Sequence, residues 1–243
     1  MPKIAQTRIL ENQRRIEAAA LQLFTKQGFH GTNIREIAEK AEVSVGAIYT
    51  YYPTKEALYV TLVRNQKTHM EKLRDQMFSS LQDIFSKNDL KQFAAEIRIY
   101  VYNHPEFWLL MYIDVIEFKN QHFAEWFHNM PEQFRSRMAP VLNKAKRQPG
   151  WCGQDPAFAF ATIYLHVITY FLIEKLFQGN RHLGVSDEQA MEKFIQLLSG
   201  GLWKSAEPRS RVKSRTTGKA SAARRKMPRV LAITSKVAES RAR

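Results

Sequence analysis

A chain of 243 residues with 44% hydrophobic content is long enough for one or two domains with a buried core and is ordinary for a globular protein. A lone Cys152 excludes an intrachain disulfide framework and fits a reducing cytoplasm, and the opening MPKIAQTRILENQRR lacks the apolar run of a secretory signal. The net charge of +14 belongs mostly to the end of the chain, because residues 204–243 hold thirteen Lys and Arg against two acids, residues 56–203 sixteen against sixteen and residues 1–55 eight against five.

The first clear pattern is TNIREIAEKAEVSVGAIYTYYPTK, residues 32–55. Thr32 reads as an N-cap, and Ile34, Ile37, Ala38 and Ala41 recur at i, i+3, i+4 and i+7, which predicts a helix with one buried face. The period breaks at Glu42-Val43. Ser44 then supplies a second N-cap, and Val45, Ile48, Tyr49 and Tyr52 repeat the spacing. Two helices so close in sequence must cross steeply, as in a helix-turn-helix. Gly46, Ala47 and Thr50 fall on the outer side of the second helix, small enough for its backbone to approach the floor of a major groove. Pro53 ends that helix and Thr54 caps the next, while Lys55 in its first turn opposes the helix dipole and suits a phosphate partner. A plain amphipathic hairpin would share much of this pattern.

Phe29, Thr32, Ile34-Arg35-Glu36-Ile37-Ala38, Ala41, Val43-Ser44, Gly46, Ile48-Tyr49, Tyr51-Tyr52 and Lys55-Glu56-Ala57-Leu58 together resemble the N-terminal signature of the tetracycline-repressor (TetR) family of transcriptional regulators. The resemblance covers residues 12–60, with Glu42 where the family usually has glycine and Tyr51-Tyr52 in place of a common His-Phe pair. It implies base-edge contacts by Arg35, Val45, Ala47 and Thr50, and DNA-backbone contacts by Thr32, Ser44, Gly46, Tyr49, Tyr51 and Lys55. Arg35 has the fork that suits guanine O6 and N7, and Val45 or Ala47 could touch a thymine methyl. Tyr49 stays open between this role and the core, since its spacing with Val45 and Tyr52 also faces inward.

Beyond the motif the chain reads as helical throughout. Leu58, Leu62, Met70, Leu73, Met77, Leu81 and Ile84 predict a long helix joining head to body. Asn88-Asp89 caps NDLKQFAAEIRIYVYN, which should stop at His104-Pro105. Helices follow over 106–118 and 120–146, the second broken or kinked by Pro131 and Pro140, and 148–155 is a loop. The run AFAFATIYLHVITYFLI, residues 157–173, carries Thr162, His166 and Thr169 and falls short of the ~20 residues of a membrane span, so a buried helix is expected. Gly179-Asn180 breaks it, and Ser186 to Gln189 starts a last helix with Ala190, Phe194, Leu197, Leu198 and Trp203 inward. A helix apolar on every side suggests cover by a second subunit, and the resemblance implies a four-helix dimer interface from the last two helices. A twofold pair of heads can read a palindrome.

Between Phe93 and Phe134 the chain is rich in aromatic residues and methionine, which at helical spacing fits a core. The resemblance implies a pocket there for a small hydrophobic effector, with Tyr100, His104, Trp108, Met111, Tyr112, Phe127, Phe134 and His166 as lining candidates. Arg98, Asp114, Glu117 and His128 join His104 and His166 as candidate polar groups.

The expectation is therefore an all-α protein: a three-helix helix-turn-helix DNA-binding head (1–55) on a larger helical ligand-binding and dimerisation body (56–204), followed by a basic tail (205–243) too poor in large apolar residues to order. The tail would add non-specific phosphate binding or be a solvated extension. As a whole the chain reads as a cytoplasmic, nucleoid-associated homodimeric repressor, bound to palindromic double-stranded DNA and released by a hydrophobic ligand, with no cofactor, metal or membrane. The alternative is an architectural protein of the same fold with a protein partner and no inducer. Enzyme signatures are missing: there is no phosphate-binding glycine loop, nucleophile elbow or HExxH, and Glu125/His128 form a single ExxH where a di-iron bundle needs two.

Overall fold

The computed structural model describes residues 3–83, 86–147, 155–177 and 183–202, and among these the chain forms nine α-helices and no strand. The first three, α1 (Lys3–Gln27), α2 (Ile34–Lys40) and α3 (Val45–Tyr51), make the head. Ile16, Ala19, Ala20 and Phe24 bury one stripe of α1 against Ile37, Ala38, Ala41 and Ile48. The cap of α2 is Asn33 and not Thr32: Asn33 accepts from the Glu36 amide at 2.9 Å, and the Glu36 carboxylate accepts from the Asn33 amide at 3.2 Å. Thr32 is turned inward, 1% exposed, with its hydroxyl donating to the Gly28 carbonyl at 2.7 Å. Ser44 and Thr54 cap as expected, accepting from the amides of Ala47 (3.1 Å) and Ala57 (3.0 Å).

The turn between α2 and α3 closes as a Schellman motif, with the Val43 amide on the Ala38 carbonyl (3.0 Å) and the Glu42 amide on the Glu39 carbonyl (3.1 Å). That geometry places Glu42 at φ 52°, the left-handed region where glycine carries no Cβ penalty. Glu42→Gly is expected to raise stability by about 1 kcal/mol, seen as a higher denaturation midpoint. A lowered midpoint would mean that the exposed 3.8 Å pair of Arg15 with Glu42 matters more than the strain.

The body comprises α4 (Lys55–Ser80), α5 (Lys87–Tyr102), α6 (Pro105–Glu117), α7 (Ala124–Lys146), α8 (Pro156–Leu176) and α9 (Asp187–Leu202). Its most extensive helix pairing is α5 on α8; α9 lies on both, α7 packs on α4 and α8, and α6 bridges α1 and α4. Ser86 caps α5, accepting from the Asp89 amide at 3.1 Å, so the expected Asn88-Asp89 cap sits one turn too late. Pro131 and Pro140 do not interrupt α7. Both prolines are exposed, as are Phe127 and Ser136, whose carbonyls they release, so water can replace the lost bonds while Trp126, Met138, Leu142 and Ala145 bury the opposite face.

Helix α8 is long and apolar enough to cross a membrane, and half of its apolar window is buried within the protein. Phe160, Ile163, Tyr164, Val167 and Phe171 form its inner face, whereas Phe158, Leu165 and Phe177 stay largely exposed. In α9, Ala190 is buried and Phe194 half-buried, but Leu197 points outward at 73% exposure, because it falls on the far side of the helix from the α5 and α8 contacts. The expected roles of Ile84, the 148–154 loop, Gly179-Asn180, the Leu198 side chain, Trp203 and the tail lie outside the described residues.

Candidate functional site

The sequence period puts Ile48 inward, and Ile48 is fully buried; the residues between its turns therefore face outward. Ser44, Gly46, Tyr49 and Thr50 are exposed on one side of α3, with Ala47 half-buried among them and Arg35 exposed on α2. Tyr49, 49% exposed, belongs to this outer surface and not to the core. A Cβ added at Gly46 would meet only the Ser44 hydroxyl, at 3.9 Å, so none of the described residues requires glycine there. The Thr50 hydroxyl donates back to the Gly46 carbonyl at 2.9 Å, leaving its oxygen lone pairs and methyl outward. Val45 and Tyr51 are half-buried and pack on the core, at the edges of this face.

Two of the expected backbone contacts are engaged inside the protein. Thr32 is buried, as described above. Lys55 turns back under the α1–α2 loop, and its ammonium donates to the carbonyls of Phe29 (2.7 Å) and Thr32 (2.6 Å) while lying 4.3 Å from the Phe29 ring centroid. Burial pulls its pKa below the usual lysine value, and the nearby Glu117 carboxylate partly opposes this. Within the protein, the Phe29 and Thr32 carbonyls are the partners of Lys55 in the first turn of α4.

Glu117, a residue first read as a polar group for a ligand, grips the same loop from the body side. Its carboxylate accepts from the amides of Phe29 (3.0 Å) and His30 (2.7 Å). Gly28, at φ 80°, is needed here twice over, because a Cβ would also sit 2.6 Å from that carboxylate. Phe29, Tyr59, Phe118 and His122 stack around the junction with ring centroids 4.7–5.6 Å apart. Asp114, likewise proposed as a ligand group, is fully buried: it accepts from the amides of His122 (3.0 Å) and Phe123 (3.1 Å) and pairs with His122 Nδ1 at 2.6 Å.

Among the described residues the body holds at least three cavities, and the expected lining residues do not meet in one of them. One, of about 350 Å³, lies between α4, α7 and α8, and includes Phe127 and Phe134 together with Phe78, Met130, Tyr164 and Leu165. Tyr100 and His104 line a second one of about 250 Å³, beside Leu73, Met77, Glu96 and Ile99. His104 is held below the usual histidine pKa by burial and then by its neighbour His69, with Glu106 pulling the other way. Trp108 is buried edge-to-face against Tyr100 and Phe107, Met111 packs on the core, Tyr112 is 40% exposed, and His166 is exposed beside Phe194. Helical spacing told which of these were apolar, but not that α5 and α6 point most of theirs into the core. Arg98 pairs with Asp187 at 3.1 Å and His128 is exposed. Sequence reading missed Arg74, which is 2% exposed and lines the cavity between α4, α7 and α8; the available signal was its place on the inward Met70–Met77–Leu81 stripe.

A pair of short helices that buries Ile37 and Ile48 and turns the small residues of α3 outward has the arrangement of a DNA-binding helix-turn-helix. Residues 16–62 match the model for bacterial regulatory proteins of the tetR family. Over 52 residues the chain is 46% identical to the HTH-type transcriptional regulator RutR of Escherichia coli K12, covering 21% of this chain and 24% of RutR. It spans about a quarter of the length of curated relatives such as RutR and YuxN of Bacillus subtilis. Among solved structures, a protein of Mesorhizobium loti assigned to the TetR family aligns over 81% of this chain and 99% of its own with a TM-score of 0.62 at 20% identity. The transcriptional regulator FadR of Bacillus subtilis, in complex with stearoyl-CoA, aligns over 78% and 98% with a TM-score of 0.53 at 15% identity. Residues 16–62 thus form a helix-turn-helix domain of the kind found in bacterial regulatory proteins of the tetR family, and the fold of the described residues is similar to that of a protein assigned to that family.

Proposed function

We propose that this protein is a TetR-family transcriptional regulator, a dimeric repressor that binds a palindromic operator and is released by a small hydrophobic ligand. The observation that carries the reading is the outward face of α3, where exposed Gly46, Tyr49 and Thr50, half-buried Ala47 and the nearby exposed Arg35 leave a small-residue surface for a groove. Dimerisation is supported by the outer stripe of α8, on which Phe158, Leu165, Ile173 and Phe177 are exposed alongside Thr162 and Thr169. A second copy applied by a twofold axis would cover that stripe and present two heads to successive grooves. Ligand response is supported by the apolar cavity of about 350 Å³, of a size suited to a small molecule. The FadR structure of similar fold was solved with an acyl-CoA.

The route from cavity to DNA would be short. Helix α4 carries Phe78 in the cavity wall and Lys55 under the α1–α2 loop, roughly 35 Å apart at 1.5 Å per residue. A tilt of α4 relative to α6 would therefore pull the loop between Lys55 and Glu117 and shift α2 and α3. A ligand drives this only through tighter binding to the non-operator conformation.

Arg35→Ala is expected to cost ~1–3 kcal/mol of DNA affinity, chiefly at one base position, in binding assays over a set of singly substituted duplexes. An unchanged base preference would remove Arg35 from the reading surface.

A further inference from the structure

The cavity of about 350 Å³ between α4, α7 and α8 is mostly apolar, and of the charged residues in its lining only Arg74 is buried. Arg74 is 2% exposed and faces the cavity from α4. One of its terminal nitrogens donates to the Gln133 side-chain carbonyl at 2.7 Å, but Nε and the other terminal nitrogen have no partner among the described residues. The guanidinium lies 5.4 Å from the Trp126 ring, whose own N–H is also unpartnered. The adjacent Asp75 is paired with Arg137 at 2.9 Å, and among the described residues no acid forms an ion pair with Arg74. An arginine does not shed its proton when buried, so its charge must be met by an anion or by hydrogen bonds, and here both are incomplete. The two unpartnered nitrogens lie on different edges of the guanidinium, so each can give one charged hydrogen bond to an anion entering beside Arg74.

We propose that Arg74 anchors the carboxylate of an amphiphilic ligand whose apolar remainder fills the space among Phe78, Phe127, Met130, Phe134, Tyr164 and Leu165. This rests on the reading of the cavity as an effector site and names the class of effector: a medium-length aliphatic or aromatic monocarboxylate. The cavity volume of about 350 Å³ equals roughly a dozen waters at ~30 Å³ each, so a ligand of about a dozen non-hydrogen atoms fits. Arg135, exposed at the same cavity, adds a second positive charge; the one acid of the lining, Asp155, is occupied in capping α8 through the Ala157 amide at 3.1 Å.

Decanoate and 1-decanol, which share the chain and differ in charge, separate the possibilities when titrated into the full-length protein by calorimetry, with Trp126 fluorescence as a second readout. Decanoate is expected to bind about tenfold or more tightly than decanol, as a charged hydrogen bond implies. Arg74→Met should abolish that preference, retain decanol binding, and leave the unfolding midpoint unchanged or raised, because it removes an unsatisfied buried charge. Equal affinities in the unaltered protein would overturn the role of Arg74 while leaving the cavity as a site. A carboxylate preference that survives Arg74→Met would overturn it as well and move the anchor elsewhere. If neither compound binds, the effector reading of the cavity fails along with the inference.

Discussion

Asp114→Ala is expected to lower the unfolding free energy by about 3–5 kcal/mol, most of the margin of an ordinary domain. The carboxylate is fully buried and holds three donors: the amides of His122 and Phe123, which precede α7, and the His122 ring at 2.6 Å. Its backbone carbonyl also takes the amides of Phe118 and Asn120, and Lys119 and Asn120 are both left-handed at φ 55° and 62°. The segment between α6 and α7 is therefore wound about this one residue. Alanine would strand the three donors in a space that water cannot easily enter. Asp114→Asn, which keeps one acceptor oxygen, should cost clearly less. Equilibrium denaturation measures both, and a loss under 1 kcal/mol for alanine would show that the turn is held by something else.

Lys55→Met is expected to cost about 3 kcal/mol of stability and to weaken binding to every DNA sequence by loosening α2 and α3. Methionine keeps most of the side-chain volume but leaves the Phe29 and Thr32 carbonyls without their charged donor, and hydrogen bonds to charged groups contribute ~1.5–3 kcal/mol each before solvent exposure discounts them. The phosphate role that the family resemblance implies for this residue predicts a different result: unchanged stability and a salt dependence of binding shallower by about one counterion. Denaturation midpoints and binding isotherms at several salt concentrations, taken on the same variant, distinguish the two. A stable variant with a reduced salt slope would return Lys55 to the DNA interface.

Local chemistry explains what the sequence disclosed. Ser44 and Thr54 cap their helices because a hydroxyl one residue before a helix can reach the third amide whatever the surroundings, and Ile48 is buried because the period around it is unambiguous. Thr32 and Asn33 show where such reasoning stops: both are cap-forming types, and the choice between them was made by Gly28, whose carbonyl captured the threonine hydroxyl. Pro131 and Pro140 misled for a similar reason, since a proline on a solvated helix face costs less than one whose freed carbonyl is buried. Glu117 and the Phe29 amide it holds are 88 residues apart, and Arg74 meets Gln133 from 59 residues away. No periodicity encodes such meetings. The expected lining residues separate on the same account: Phe127 and Phe134 of α7 reach the cavity between α4, α7 and α8, Tyr100 and His104 reach another, and Trp108 of α6 is buried in the core.

Under the proposed function the outer face of α3 reads base sequence in duplex DNA. Repeated selection of random double-stranded oligonucleotides by the full-length protein, at a salt concentration that suppresses non-specific attraction to phosphates, measures this directly. The predicted result is a single enriched motif with two inverted halves, lost when Gly46 is replaced by a bulky residue that the protein itself has room to hold. Enrichment of no sequence, or of the same sequence by the Gly46 variant, would contradict it.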